Sequence, residues 1–216
     1  MLVRELMTRN PVTITTETSV PDALRLMRER KVRRLPVLDA HGALVGIVSD
    51  KDLLYASPSP ATTLAVWEIP ELLGKLRVEK VMTRGVITVD EGTALEEAAR
   101  IMADSKIGGL PVMRGSQLVG IITETDLFKT LLELLGGRRA GVRVAVAVPS
   151  VKGELSKITT AIFEAGGNIV GIGMKNILGS NGDTAEVVLK VQDVAREKLL
   201  AVLRPVVDEI MDIREI

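Results

Sequence analysis

Residues 44–53 read LVGIVSDKDL, and residues 118–127 read LVGIITETDL. Two other stretches return in the same order: KVRRLPV at 31–37 as KIGGLPV at 106–112, and Met-Thr-Arg at 7–9 again at 82–84. An ordered repeat of this kind predicts two copies of one supersecondary unit that pack against each other. We therefore expect a cleft lined twice by equivalent residues, a feature that favours ligand binding over catalysis.

Each copy predicts the element order β-α-β-β-α. Short strands at 12–14 and 87–89 precede amphipathic helices. Two further strands are predicted in each copy, one at the Leu-Pro-Val motif and one at the Leu-Val-Gly-Ile motif that follows it. A second helix is predicted to begin at Asp50 in the first copy and at Glu124 in the second. Neither copy has enough apolar surface to be stable alone, so we expect a pseudo-symmetric pair.

The rest of the chain divides at Pro- and Gly-rich stretches. Residues 1–60 form the first copy, and residues 61–135 comprise a linker helix at Leu64–Leu76 and the second copy. Residues 136–141 are a linker. Residues 142–216 are not a third copy, since their pattern predicts β-α-β-β-α-β, the ferredoxin-like order. The expected strands are 142–148, 168–174, 185–191 and 207–213, with helices at 153–165 and 195–203. The fold class is therefore α/β (α+β).

The amino-acid composition argues against nucleic-acid binding and against a membrane-spanning protein. Lysine plus arginine and aspartate plus glutamate number 28 each, and the aromatic residues are one Trp, one Tyr and two Phe. Such a chain lacks the basic surface and stacking platforms of nucleic-acid-binding proteins. It has no cysteine and no apolar run long enough to span a membrane, so we expect a soluble cytoplasmic protein.

Catalytic motifs are absent from the sequence. The lone histidine, His41, falls in a predicted hairpin turn, and no group of residues has metal-ligand or nucleophile-elbow spacing. We assign no catalytic residue, no metal ligand and no catalytic cofactor.

These motifs resemble known families. Residues 7–54 and 82–129 resemble a tandem pair of CBS domains, through Met-Thr-Arg, Leu-Pro-Val and G-I-[VI]-[ST]-x-x-D-L in both copies. Residues 142–216 resemble an ACT domain, through GELSKI at 153–158 and Gly-Gly-Asn at 166–168. A CBS pair followed by an ACT domain is similar to the acetoin-utilisation B-type proteins.

The CBS resemblance implies an adenosine ligand held by the last motif of each copy. Its Ser/Thr and Asp, which contact the ribose hydroxyls, correspond to Ser49 and Asp52 and to Thr123 and Asp126. A carboxylate accepts hydrogen bonds from both ribose hydroxyls, as acidic residues do in dinucleotide folds. The same S-x-x-D spacing also fits a helix-capping box that would need no ligand.

The two copies differ at the positions that are expected to contact a phosphate group. Arg33 and Arg34 stand where the resemblance places a phosphate-contacting basic residue, whereas the second copy has Gly108 and Gly109 there. We expect the arginines to act with Ser49 and Asp52, and the second copy to bind an uncharged adenosine moiety or nothing. The alternative is a solvated basic turn in residues 28–31, Arg-Glu-Arg-Lys.

Adenine is expected among aliphatic side chains, with the short first strand offering backbone groups to the base edge. In the first copy the candidates are Val12, Thr13, Ile14, Leu35, Pro36 and Val37. In the second they are Ile87, Thr88, Val89, Gly109, Leu110, Pro111 and Val112. The alternative is that each of these residues packs in the core of the sheet and contacts no ligand.

The ACT resemblance implies a second ligand, an amino acid or other small metabolite. A helix N-terminus offers free N–H groups to a carboxylate, and Gly153 allows close approach. The matching residues are Ser150, Val151, Lys152, Gly153, Glu154, Leu155, Asn168 and Ile169. Lys152 replaces a proline that many ACT domains have, and Gly166-Gly167-Asn168 also fits a helix C-cap. A purely dimerising role is the alternative.

The sequence therefore favours a non-catalytic regulatory protein. It would sense an adenine nucleotide at the CBS pair, form a homodimer or larger assembly, and bias a protein target through differential affinity for two conformations. We expect no nucleic-acid or membrane partner. The alternatives are an enzyme or accessory factor of acetoin catabolism, and a dimerisation scaffold with vestigial pockets.

Overall fold

The computed structural model describes residues 1–56, 74–177 and 183–216. These residues form two compact units, 1–127 and 128–216. The chain break predicted at 57–60, most of the helix predicted at 64–76, and the predicted turn at 179–182 lie outside the described residues.

The first copy has the predicted elements with one shift, and a short helix and a short strand that were not predicted precede them. They are α1 (Val3–Leu6), β1 (Thr8–Arg9), β2 (Ile14–Thr15), α2 (Val20–Arg30), β3 (Arg34–Leu38), β4 (Leu44–Ser49) and α3 (Asp50–Tyr55). The Oγ of Ser19 accepts the Asp22 N–H and starts α2, and Lys31 ends it in the left-handed conformation at φ 54°. The start of α3 at Asp50 confirms the prediction. The first strand begins at Ile14, later than expected, because its parallel pairing with β3 covers two residues only.

The second copy repeats this local geometry. After a 3₁₀ turn (Val78–Lys80) come β5 (Val89–Asp90), α4 (Leu95–Ser105), β6 (Gly109–Arg114), β7 (Gln117–Thr123) and α5 (Glu124–Leu134). Lys106 ends α4 at the same φ of 54° that Lys31 has at the end of α2. The predicted start of the second helix at Glu124 is confirmed. The two copies therefore share their backbone conformation as well as their sequence motifs.

The two copies exchange their Met-Thr-Arg segments. Strand β1 pairs with β7, so the sheet of the second copy has the order β1-β7-β6-β5, whereas β2, β3 and β4 form the first copy's sheet. Reciprocally, Thr83 and Ile47 exchange backbone hydrogen bonds of 2.9 and 3.1 Å. Each copy therefore completes its sheet with a segment that precedes the other copy.

Glycine and methionine make this exchange sterically possible. The Sδ of Met7 lies against Gly120, and the Sδ of Met82 lies against Gly46, in both cases where a Cβ would stand. Both methionines are 8% exposed. Met7 belongs to the core of the second copy and Met82 to that of the first. The repeated Met and Gly thus meet across the copies, which explains why each is present twice.

The C-terminal unit holds an antiparallel sheet of order β11-β8-β10-β9. Its elements are β8 (Val142–Pro149), α6 (Glu154–Glu164), β9 (Asn168–Ile177), β10 (Thr184–Gln192), α7 (Arg196–Leu203) and β11 (Glu209–Glu215). The element order β-α-β-β-α-β agrees with the sequence prediction. Alternate residues of β8 and β10 pack with Ile158, Ile162, Leu199 and Leu203 of the helices in one core.

Candidate functional site

A cavity of about 330 Å³ lies between the two copies of the N-terminal unit. Its lining comes from the segment after β1, the segment before and into β3, and the β7–α5 junction. The lining residues are Thr8, Asn10, Pro11, Val12, Lys31, Val32, Arg33, Arg34, Ile121, Thr123, Thr125 and Asp126. Both copies therefore contribute to a single cleft.

The strand exchange builds this cleft. Thr8 pairs with Ile121, and the Asn10 N–H donates to the Val119 carbonyl oxygen at 3.2 Å, which holds the segment after β1 beside β7. Asn10 has a φ of 48°, a left-handed conformation that asparagine tolerates better than most residues. The chain turns there, and Pro11 and Val12 enter the cleft.

Arg34 reaches from the first copy onto the glycine pair of the second. A Cβ at Gly108 would overlap the Arg34 guanidinium and lie 2.7 Å from Glu124 Oε2, and one at Gly109 would lie 3.2 Å from Arg34 Cδ. Gly108 and Gly109 thus provide the space that the Arg34 side chain occupies. The Arg-Arg and Gly-Gly pairs, which the sequence suggests are two unequal sites, are complementary parts of one contact.

The Ser/Thr and Asp of the last motif form helix caps in both copies. Asp52 Oδ2 accepts from the Ser49 N–H and Oγ–H at 2.7 Å each, and Asp126 Oδ2 accepts from the Thr123 N–H and Oγ1–H at 2.9 and 2.8 Å. The capping alternative is therefore present in the structure. All four side chains are half-buried, so capping leaves them partly accessible to solvent.

The backbone brings the first copy's arginines beside its own motif, since Arg34 pairs with Ser49 across β3 and β4 and the Asp50 N–H donates to the Arg33 carbonyl oxygen, but the cavity lining is different. The cavity that holds Arg33 and Arg34 is lined by Thr123 and Asp126, and not by Ser49 and Asp52. The reason is the exchange of β1, which joins the first copy's segment to the second copy's β7. A sequence repeat does not indicate whether the Met-Thr-Arg segment of one copy pairs with its own sheet or with the sheet of the other copy.

Most aliphatic candidates for adenine contact belong to the sheet cores. Leu35, Val37, Leu110 and Val112 are fully buried, and Ile14 and Val89 are 7% and 6% exposed. Pro36, Gly109 and Pro111 are buried as well, so the contacts that these positions can offer a ligand are through the backbone. Thr13 is half-buried, and Ile87 and Thr88 are exposed. Val12 is the aliphatic candidate that lines the cavity.

Several lining residues escaped the sequence analysis. Thr8 belongs to the repeated Met-Thr-Arg, Asn10 and Pro11 follow it, and Thr125 lies between Thr123 and Asp126. The repetition of Thr8 as Thr83 was the available signal, because a residue kept in both copies without a core role is a candidate for the cleft.

The residues expected to bind a second ligand do not converge within one chain. Ser150–Glu154 lie at the start of α6 and Asn168–Ile169 follow its end, and an 11-residue helix is about 16 Å long. Glu154 is 8% exposed and pairs with Lys157 at 2.6 Å. Gly166, at φ 83°, and the bond from the Gly167 N–H to the Ile162 carbonyl oxygen form a helix C-cap.

The described residues show neither a metal-ligand cluster nor a membrane-spanning helix. Within them there is no group of three or more His, Asp or Glu side chains that would hold a metal ion. Across the same ranges, no helix is long and apolar enough to cross a membrane.

Solved structures resemble the N-terminal part of the chain. A Vibrio cholerae protein named as an acetoin utilization protein, AcuB, is 35% identical with a TM-score of 0.52, over 64% of this chain and 95% of that one. CBSX2 in complex with AMP is 36% identical with a TM-score of 0.50, over 61% and 96%. The CBS domain pair of protein MJ0100, in complex with 5′-methylthioadenosine and S-adenosyl-L-methionine, is 28% identical with a TM-score of 0.52, over 64% and 98%.

The family comparison identifies the repeated unit directly. The CBS domain family matches residues 3–59 and 78–133, which together make up more than half of the chain. These two matches contain both copies of every motif that lines the cleft. The sequence repeat, the exchanged strands and the family match agree, and the chain belongs to the CBS domain family.

Proposed function

We propose that this protein is a non-catalytic sensor that binds an adenine nucleotide in the cleft of its CBS pair and acts as a regulator. The observation that carries the proposal is the cavity in which Arg33 and Arg34 of one copy share a lining with Thr123 and Asp126 of the other. Two guanidinium groups suit a phosphate, and a carboxylate with a hydroxyl suits a ribose. The volume of about 330 Å³ lies in the range of small-molecule sites.

The solved relatives support an adenosine derivative as the ligand. One is described as a complex with AMP, and another as a complex with 5′-methylthioadenosine and S-adenosyl-L-methionine. The arginines favour AMP, ADP or ATP over an uncharged adenosine for this chain, because a phosphate supplies the charge that they complement. The second copy has Gly108 and Gly109 at the positions of these arginines, so a second site would take an uncharged adenosine moiety or nothing.

The C-terminal unit would add a second input. Its β-α-β-β-α-β order and its glycine at the start of α6 support the likeness to an ACT domain and an amino-acid-like ligand. Since Gly153 and Asn168 stand at opposite ends of α6, a ligand that touches both needs residues from two chains. The proposal therefore includes a homodimer, through which the second ligand would influence the nucleotide cleft and a protein target.

The second candidate function is an accessory role in acetoin use. The observation that favours it is the likeness to the Vibrio cholerae protein named for acetoin utilization. Measurement of acetoin turnover by the purified protein separates the two: a catalytic rate above that of buffer would support an enzyme and contradict a pure sensor. A third candidate, a scaffold with vestigial pockets, predicts that no nucleotide alters the melting temperature.

Two measurements test the proposal together. Mass spectrometry of small molecules released from the natively purified protein should find an adenine nucleotide or a related adenosine derivative. Calorimetric titration should then give tighter binding for AMP than for GMP, because the backbone groups of the cleft would read the base. Equal affinities for AMP and GMP, or no binding of either at millimolar concentration, would overturn the proposed ligand class.

A further inference from the structure

The lining of the cavity between the two copies changes in chemistry from one segment to the next. Residues 31–34 supply its cations, and the β7–α5 junction supplies hydroxyl groups and the carboxylate of Asp126. In the proposed nucleotide complex these segments take the phosphate and the ribose. The side chains that the segment after β1 supplies are uncharged: Thr8, Asn10, Pro11 and Val12. This uncharged segment is therefore the wall that remains for the base.

Apolar side chains in this part of the cavity suit the faces of a purine ring. Pro11 and Val12 are half-buried, and Ile121 of β7, which stands opposite Thr8 in the strand pair, is 8% exposed. The faces of a purine pack against such side chains, whereas its polar edge needs hydrogen-bonding groups. The carboxamide of Asn10 offers both kinds, an acceptor oxygen and a donor NH₂ group.

The Asn10 carboxamide has no hydrogen-bond partner among the described residues. The bond that holds this residue is formed by its main chain, whose N–H donates to the Val119 carbonyl oxygen at 3.2 Å. The backbone of Asn10 is thus fixed beside β7 while its side chain is exposed at the cavity. An anchored side chain with an unused donor and an unused acceptor is available to a ligand.

The second copy shows that the backbone at this position does not require an asparagine. Gly85 follows the second Met-Thr-Arg as Asn10 follows the first, and both residues are left-handed, with φ of 63° and 48°. Glycine adopts this conformation without steric cost, and a Cβ at Gly85 would meet nothing within 4 Å. The turn therefore forms with or without a side chain. What Asn10 adds in the first copy is a carboxamide at the cavity.

We propose that Asn10 is the residue that selects adenine in the cleft. Its Oδ1 accepts a hydrogen bond from the 6-amino group of the base and its Nδ2 donates to N7, the bidentate pairing that suits asparagine and adenine. Guanine has acceptors at both places, O6 and N7, so the carboxamide oxygen would face a second acceptor. This inference rests on the proposed adenine nucleotide, and it adds a side-chain contact to the backbone groups that would read the base.

The test compares AMP with 7-deaza-AMP, in which a C–H group replaces N7, by calorimetry on the full-length protein. Wild type should bind AMP at least about five-fold more tightly, because 7-deaza-AMP gives the Asn10 Nδ2 no acceptor. Asn10→Gly should bind the two with nearly equal affinity and should fold as wild type does, since Gly85 adopts the same backbone conformation. The matched variant Gly85→Asn adds a carboxamide at the equivalent position, which does not line the cavity, and should keep the wild-type ratio.

Adenosine, as a third ligand, separates this inference from the proposed function. Asn10→Gly should prefer AMP to adenosine by the same factor as wild type, because its phosphate contacts are unchanged. The selection by Asn10 is overturned, and the nucleotide cleft stands, if wild type binds AMP and 7-deaza-AMP equally well or if Asn10→Gly keeps the wild-type ratio. If wild type does not bind AMP at millimolar concentration, the nucleotide cleft and the selection by Asn10 both fail.

Discussion

The Arg34 side chain contributes positive charge to the cleft between the two copies. Its guanidinium lies over Gly108, next to the Glu124 carboxylate, and the side chain runs past Gly109. The two glycines that occupy the arginine positions in the second copy therefore serve the first copy's arginine. A positive charge is brought to the side of the cavity that also holds Asp126.

At this scale we predict unequal roles for the two motif aspartates. Asp126→Ala should weaken AMP binding by about ten-fold or more, since a hydrogen bond to a charged group contributes about 1.5–3 kcal/mol. Asp52→Ala should have a much smaller effect, because Asp52 does not line the arginine cavity. Both variants should lose about 1 kcal/mol of stability with their helix cap. Calorimetry and urea unfolding measure the two effects, and a larger binding loss for Asp52→Ala would reverse this assignment.

The residue patterns predict part of this site well. Arg33, Arg34, Thr123 and Asp126 follow from their motifs, and all four line the cavity. Their grouping does not follow, because Ser49 and Thr123 have the same local sequence signals and the same capping geometry. What distinguishes them is the partner that the exchanged strand brings, a long-range contact with no local signature.

Among the elements, the short β1 strand has the largest structural consequence. Its two residues pair with Ile121 and Gly120, and the following turn at Asn10 leads into the cleft. The helix starts at Asp50 and Glu124 were predictable, since capping is local. The first strand was predicted too early, because a strand of two residues is defined by its pairing more than by its β-branched side chains.

The glycine that receives Met7 should be intolerant of a side chain. We predict that Gly120→Ala lowers the free energy of unfolding by about 1–3 kcal/mol, because a Cβ there overlaps the Met7 side chain and lies 3.2 Å from the Thr8 carbonyl oxygen. Gly46→Ala should cost a similar amount through Met82. Ser116→Ala, in the exposed hairpin turn, is the control and should stay within about 0.5 kcal/mol. Denaturant unfolding measures all three, and wild-type stability for Gly120→Ala would argue against a tight exchange.

Helix α5 presents an exposed apolar face. Phe128, Leu131 and Leu134 of α5 are 64%, 48% and 54% exposed. In the C-terminal sheet β8 is central, since it pairs with both β10 and β11, and β9 and β11 are the edge strands.

We predict a homodimer that uses this face of α5. Light scattering after size exclusion should give about twice the chain mass of 23.3 kDa at micromolar concentration. The double variant Phe128→Glu and Leu131→Glu should shift the mass to one chain, because it places charges in an apolar interface. Phe163→Glu, at an aromatic residue of α6 that is 78% exposed, is the control. A wild-type mass of one chain would remove the dimer and the proposed coupling between the units.

We expect Arg34 to give the cleft its preference for a phosphorylated adenosine. Calorimetry should compare AMP with adenosine on wild type, on Arg34→Ala and on Arg30→Ala, an exposed arginine at the end of α2 that does not line the cavity. Wild type and Arg30→Ala should prefer AMP by about ten-fold or more, which corresponds to roughly 1.4 kcal/mol. Arg34→Ala should bind the two ligands with nearly equal affinity. Unchanged preference for AMP in Arg34→Ala would contradict the claim.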